Sequence, residues 1–224
     1  ILLRVNCPIT TPWGKDDLAA VEKVIGASRG DGLHGIAGVV LPKVDTPDVV
    51  QGLKDFPLPI WAMIETAKGV INADAIAAEA NLDGLIFGLN DFTKDIQARH
   101  TRERGPLMYA MSRCIIAARA HGKYAIDGVH MDIEDHEALE FTSLQGRDLG
   151  FDGRSLIHPN HIAITNAAYS PSEEEIAQAR KLIEKYAEAE EAGKGVVVVD
   201  DTLIEKLHVE QAQLVLEKAR QMGL

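Results

Sequence analysis

Six short apolar or β-branched runs, ending near Val5, Lys43, Glu65, Asp91, Val129 and His158, alternate with stretches of amphipathic helical spacing. Strand alternating with helix is the signature of a parallel sheet built from βαβ units. The run Leu-Pro-Ile-Trp-Ala-Met-Ile-Glu-Thr-Ala, residues 58–67, reads as a strand buried on both faces that stops on a carboxylate, Glu65. One unit later Gly-Leu-Ile-Phe-Gly-Leu-Asn-Asp, residues 84–91, repeats the pattern and stops on Asp91. Two acids are therefore expected at the same end of consecutive strands. An ionised Glu there is costly unless positive charge accompanies it.

The first helix is predicted over Lys15 to Ser28, with Asp16 or Asp17 starting the turn. Thr46-Pro47-Asp48 reads as a capping Thr ahead of Pro at the first helical position. A helix carrying Val70, Ile71, Ile76 and Ala77 is expected to follow Glu65 and end near Asn81. The polar stretch from Asp91 to Arg104 reads either as a lid or as a solvated insertion, the second being favoured. Helices are expected over Pro106 to Gly122 and Asp135 to Leu149, with strands at Tyr124 to Val129 and Phe151 to His158. Ser170-Pro171-Ser172-Glu173 reads as a capping box opening a charged helix that ends near Gly193. A β-prone run, Val196 to Val199, and a helical segment, Thr202 to Met222, complete the chain. Residues 1–170 thus form the strand-helix domain. Residues 171–224 read as an appended helical extension, suited to packing on a neighbouring subunit.

Six units leave an open parallel sheet with exposed edges, whereas eight close a (β/α)8 TIM barrel without any. Two units ahead of Ile1 would complete the barrel. The chain is strand-like from its first residue and has no initiating Met there, so it is expected to begin inside a longer gene product. The runner-up is an open doubly wound sheet, but no G-x-G-x-x-G or G-K-S/T loop follows any strand.

At 224 residues with 46% hydrophobic content the chain can bury one substantial core. A net charge of -11 argues against a nucleic-acid partner, which needs clustered Lys and Arg. No run approaches the roughly 20 apolar residues that span a bilayer, and no signal-peptide pattern opens the chain, so a soluble protein with no membrane partner is expected. Cys7 and Cys114 match no metal or redox spacing, which favours a reduced cytoplasmic setting.

Active sites of parallel α/β folds lie at the carboxyl ends of the strands. Read in order, those ends offer Arg4, Lys43, Glu65, Asp91, Asp127 with His130, and His158. Neighbouring strands lie about 4.8 Å apart, so Glu65 and Asp91 could each reach one ion between them. A lone carboxylate pair would repel until one acid took up a proton. Hard oxygen ligands suit Mg2+, with Mn2+ as the substitute. Either acid alone is better explained by a solvated loop or a helix cap; the pair at matching places favours the metal. Arg4 suits a substrate carboxylate or a developing enolate oxygen, or else a salt bridge to a barrel acid. Lys43 is open to a Schiff-base role or, preferably, to that of a fixed charge, and stands with Arg4 as a candidate substrate-binding residue. His158 is an acid, base or ligand candidate, or equally a structural histidine at the rim. His158-Pro-Asn-His161 lacks the carboxylate partners of a zinc site.

Leu3-Arg-Val-Asn6, Leu41-Pro-Lys43, Ile64-Glu-Thr-Ala67, Phe87-Gly-Leu-Asn-Asp91, Gly150-Phe-Asp-Gly153, Ile157-His-Pro159 and Tyr169-Ser-Pro171 resemble, in order, the citrate lyase beta subunit and malyl-CoA lyase family of the HpcH/HpaI aldolase group. The resemblance implies a (β/α)8 barrel in a homotrimer or hexamer, Mg2+ held by Glu65 and Asp91, and Arg4 on the substrate or enolate oxygen. It implies cleavage, or the reverse condensation, of a β-hydroxyacyl-CoA such as malyl-CoA, citramalyl-CoA or citryl-CoA. Two departures stand out. The family's first two units, with an Asp-Leu-Glu-Asp strand end, are absent from this sequence, and an Asp that serves as acid or base from a neighbouring subunit is matched by Glu205. Alternative readings are a metal-dependent aldolase on free pyruvate-type keto acids, Schiff-base chemistry through Lys43, and a non-catalytic paralogue.

Overall fold

In the computed structural model, which describes residues 1–27 and 35–224, six parallel strands are hydrogen-bonded in sequence order. They are β1 (Leu2–Arg4), β2 (Gly38–Leu41), β3 (Ile60–Ile64), β4 (Leu82–Phe87), β5 (Tyr124–Asp127) and β6 (Gly153–Arg154). The central strands are apolar on both faces: Val39, Leu41, Ile60, Ala62, Ile64, Leu82 and Ala125 are all inaccessible to solvent. This is what a parallel sheet with covered faces requires. β1 and β6 form the two edges.

The crossovers are helical: α1 (Gly14–Ala27), α2 (Asp48–Gln51), α3 (Ala67–Ile71), α4 (Ala73–Ala77), α5 (Leu89–Asp95), α6 (Met108–Ala120), α7 (His136–Leu149) and α8 (His161–Tyr169). Asp17, in the first turn of α1, accepts both the backbone and the side-chain N–H of Asn6, each at 2.9 Å, tying the helix to the end of β1. Ser28, the predicted end of that helix, lies outside the described residues.

Several predicted boundaries shift. Pro47, not Thr46, stands at the cap of α2, and no side chain caps it. The single helix expected after Glu65 is two short ones broken at Asn72, whose Nδ2 donates to the Asp45 carbonyl at 2.7 Å. Side-chain hydrogen bonding to a distant backbone group there competes with helix continuation. The last strand of the parallel sheet is only two residues long, so His158 lies four residues beyond it.

Residues 1–168 and 169–224 form two compact units. In the second, α9 (Glu173–Glu191) opens on a capping box of Ser172 and Glu175, two residues later than predicted. β7 (Val197–Val199) pairs antiparallel with β8 (Thr202–Ile204), where helix was expected, and α10 (Lys206–Met222) follows. The two residues joining them, Asp200 and Asp201, both have positive φ, 48° and 60°. That is the turn whose twist matches a tight hairpin. Tyr186, Val199 and Ile204 form this unit's own small core.

Candidate active site

β3 ends at Ile64, and the next residue, Glu65, is only 2% exposed. One face of its carboxylate is tied down by backbone: the Lys43 N–H donates to Oε1 at 2.9 Å. The segment that carries this N–H is itself fastened to the end of β3. Val44 N–H donates to the Met63 carbonyl at 3.2 Å, and the Thr66 hydroxyl, which also caps α3, bonds the Asp45 carboxylate. On the other side Glu65 lies against bare backbone. A Cβ at Gly88 would stand 2.4 Å from Glu65 Cβ and 2.6 Å from its Oε2.

Asp91 is not at the strand end. β4 stops at Phe87, Gly88 makes the turn, and Asp91 is in the first turn of α5, where a carboxylate is favoured by the helix dipole. It nevertheless lines the same cavity as Glu65, of about 100 Å3, together with Arg4, Ser155 and the backbone of Gly88 and Gly128. Burial pushes the Glu65 carboxyl above its ordinary range, and the Asp91 charge pushes it further; the Lys43 N–H, then the Arg4 and Lys43 charges, pull the other way. A divalent cation between the two acids would reverse this penalty. Among the described residues no set of three or more His, Cys, Asp and Glu converges on a metal position. Two carboxylates with water and substrate filling the other positions is the donor set Mg2+ ordinarily uses, and the residues present fit it.

The other predicted strand-end groups go elsewhere. Asp127 is fully buried, paired with Arg104 at 2.6 Å, and accepts the Gly128 N–H. Arg104 also donates to Gln145 and to the Thr142 carbonyl, so the polar stretch after Asp91 is neither lid nor solvated insertion at this end but is anchored into the core. Its signal in the sequence was absent, since an Arg in a charged loop looks solvated. His158 and His130 each stack edge-on against buried His161, 6.0 Å between centroids, and His130 is shifted below the ordinary imidazole range, chiefly by burial. His130 lines a neighbouring cavity of about 430 Å3 that shares Leu89, Asn90 and Val129 with the carboxylate pocket. Lys43 is exposed, and its hydrogen bond to Glu65 comes from the backbone N–H. Glu205 belongs to the second unit, where its N–H donates to His208 Nδ1 at 3.0 Å at the start of α10.

The family model HpcH/HpaI aldolase/citrate lyase matches residues 1–159, the stretch that carries all of these strand ends. The chain belongs to this family. Among curated members, a (3S)-malyl-CoA thioesterase of Cereibacter sphaeroides is 40% identical over 220 residues, spanning 97% of this chain and 73% of the relative. The citrate lyase subunit beta of Leuconostoc mesenteroides is 32% identical, over 98% of this chain and 74% of the relative. Among solved structures, CitE of Mycobacterium tuberculosis in complex with magnesium, acetoacetate and coenzyme A superposes with a TM-score of 0.80 at 28% identity, covering 98% of this chain and 78% of that one. Family membership agrees with the α/β sheet found here. Among the described residues, no helix is long and apolar enough to cross a membrane.

Proposed function

We propose that this chain is a Mg2+-dependent carbon–carbon lyase that cleaves, or in reverse forms, a β-hydroxyacyl-CoA thioester of the malyl-CoA, citramalyl-CoA or citryl-CoA type. The observation that carries the reading is the buried Glu65 carboxylate sharing one cavity with Asp91 and Arg4, in a member of a family whose relatives include a citrate lyase beta subunit. The six units are read as the greater part of a (β/α)8 barrel, consistent with two open sheet edges and with coverage of 78% of the CitE chain. Residues 171–224 are read as the extension through which subunits assemble into a trimer or hexamer.

Glu65 and Asp91 would hold the ion, which supplies positive charge beside the substrate's carboxylate and hydroxyl or keto oxygens. Arg4, always charged and on the same cavity, binds the substrate carboxylate or the enolate oxygen that develops as the carbon–carbon bond breaks. The hydroxyl loses its proton as its carbon becomes the carbonyl, and the electron pair of the broken bond passes to the thioester carbon chain as an enolate, which is then protonated. Glu205 is the proposed acid or base for these proton transfers, supplied by a neighbouring subunit. The (3S)-malyl-CoA thioesterase named above, 40% identical, favours a second reading, hydrolysis of the thioester itself.

Product analysis separates the two. With (3S)-malyl-CoA, lyase action yields glyoxylate and acetyl-CoA with no free thiol. Stoichiometric malate and free CoA thiol, without glyoxylate, would overturn the lyase reading in favour of hydrolysis.

A further inference from the structure

Lys43 has φ 53°, in the left-handed region that a lysine adopts at a cost. Such a conformation persists only where the surroundings hold it, and here they do. Pro42 precedes it, Val44 is fixed to Met63, and Asp45 is fixed by Thr66 and Asn72. What the turn achieves is visible in a single bond, the Lys43 N–H directed onto Glu65 Oε1 at 2.9 Å. The side chain by contrast is exposed and is not among the groups lining the carboxylate cavity.

We infer that Lys43 is a positioning residue that acts through its backbone: its left-handed turn presents an N–H that orients the Glu65 carboxylate, and its ammonium group is dispensable for holding the cation. This assigns Lys43 a role different from substrate binding or Schiff-base formation, and it rests on the metal reading above. Fixing one carboxylate oxygen with a backbone donor leaves the other, Oε2, as the metal-facing atom with a defined direction. Gly88 bounds the same carboxylate from the opposite side, so the acid has little room to rotate.

The test is Mn2+ affinity, read by the loss of the free-ion electron paramagnetic resonance signal, on the whole chain and on Lys43→Gly, Lys43→Gln and Lys43→Pro, with thermal melting of each. Gly keeps the N–H and adopts positive φ freely. Gln keeps the N–H and removes the charge. Pro removes the N–H and forbids the turn. Lys43→Gly and Lys43→Gln are expected to bind Mn2+ within about twofold of the parent, and Lys43→Pro about tenfold or more weaker, as for loss of a hydrogen bond to a charged group. Parental affinity in Lys43→Pro would overturn the inference, as would a tenfold loss in Lys43→Gly and Lys43→Gln at unchanged melting temperature. If Lys43→Pro fails to fold, the chain with a backbone ester in place of the Lys43 amide, which removes the N–H and keeps the side chain, takes its place with the same tenfold loss expected and parental affinity overturning the inference. No Mn2+ binding by the parent chain would overturn the metal reading itself, and the inference with it.

Discussion

Gly88→Ala adds one methyl group against one carboxylate. The backbone of Gly88 has φ -87° and ψ 79°, outside the positive-φ region, so alanine's own conformation is not the obstacle. The obstacle is Glu65, whose Cβ would lie 2.4 Å and whose Oε2 would lie 2.6 Å from the new methyl. Ordinary contact begins near 3.4 Å, so the acid must retreat by about 1 Å. It cannot do so and keep Oε1 at 2.9 Å from the Lys43 N–H. A misplacement of about 1 Å in a reacting constellation costs about 100-fold in rate. The overpacking itself costs about 1–3 kcal/mol, or roughly 2–12 °C in melting temperature for a chain this long. The assay combines Mn2+ affinity, thioester cleavage and thermal melting. Parental affinity and rate in Gly88→Ala would refute the reasoning.

Two further outcomes follow from the buried charges. Arg104→Ala leaves Asp127 buried and unpaired, and should destabilise the chain by about 3–5 kcal/mol without a specific effect on Mn2+ binding; a melting temperature unchanged from the parent would show that the pair is not needed. The raised Glu65 pKa makes the metal-free fold gain stability below the unfolded value of about 4.5 and lose it as pH rises through the folded value. Divalent cation needs the ionised acid, so excess Mg2+ should oppose that trend and its affinity should fall as pH drops through the same range; melting against pH with and without Mg2+ checks both signs.

Much of this was legible in the sequence because buried parallel strands are short continuous apolar runs. Glu65 stood out as the charge that ended one of them, and it proves to be buried and held. Asp91 was recognised for the right cavity but in the wrong element, because Leu-Asn-Asp continues an apolar run by composition while its backbone has already begun α5. The Lys43 N–H on Glu65 carried no signal, because sequence shows the ammonium and hides the φ angle that aims the N–H. Gly88 carried no signal, since its role is the absence of a Cβ at a contact that only the fold creates. Arg104 and Asp127 lie 23 residues apart, and nothing local announces such a pair. The hairpin at Asp200 and Asp201 was hidden by residues that only occasionally take two successive positive φ values.

The central claim is that Glu65 and Asp91 together hold the cation on which cleavage depends. The most direct measurement is turnover of malyl-CoA, citramalyl-CoA and citryl-CoA by the chain and by Glu65→Ala and Asp91→Ala, each with Mg2+ and with EDTA. Cleavage of at least one thioester by the parent with Mg2+ is expected, with none in EDTA and at least a 100-fold loss in both folded variants. Undiminished cleavage in EDTA, or full activity in either variant, would contradict it.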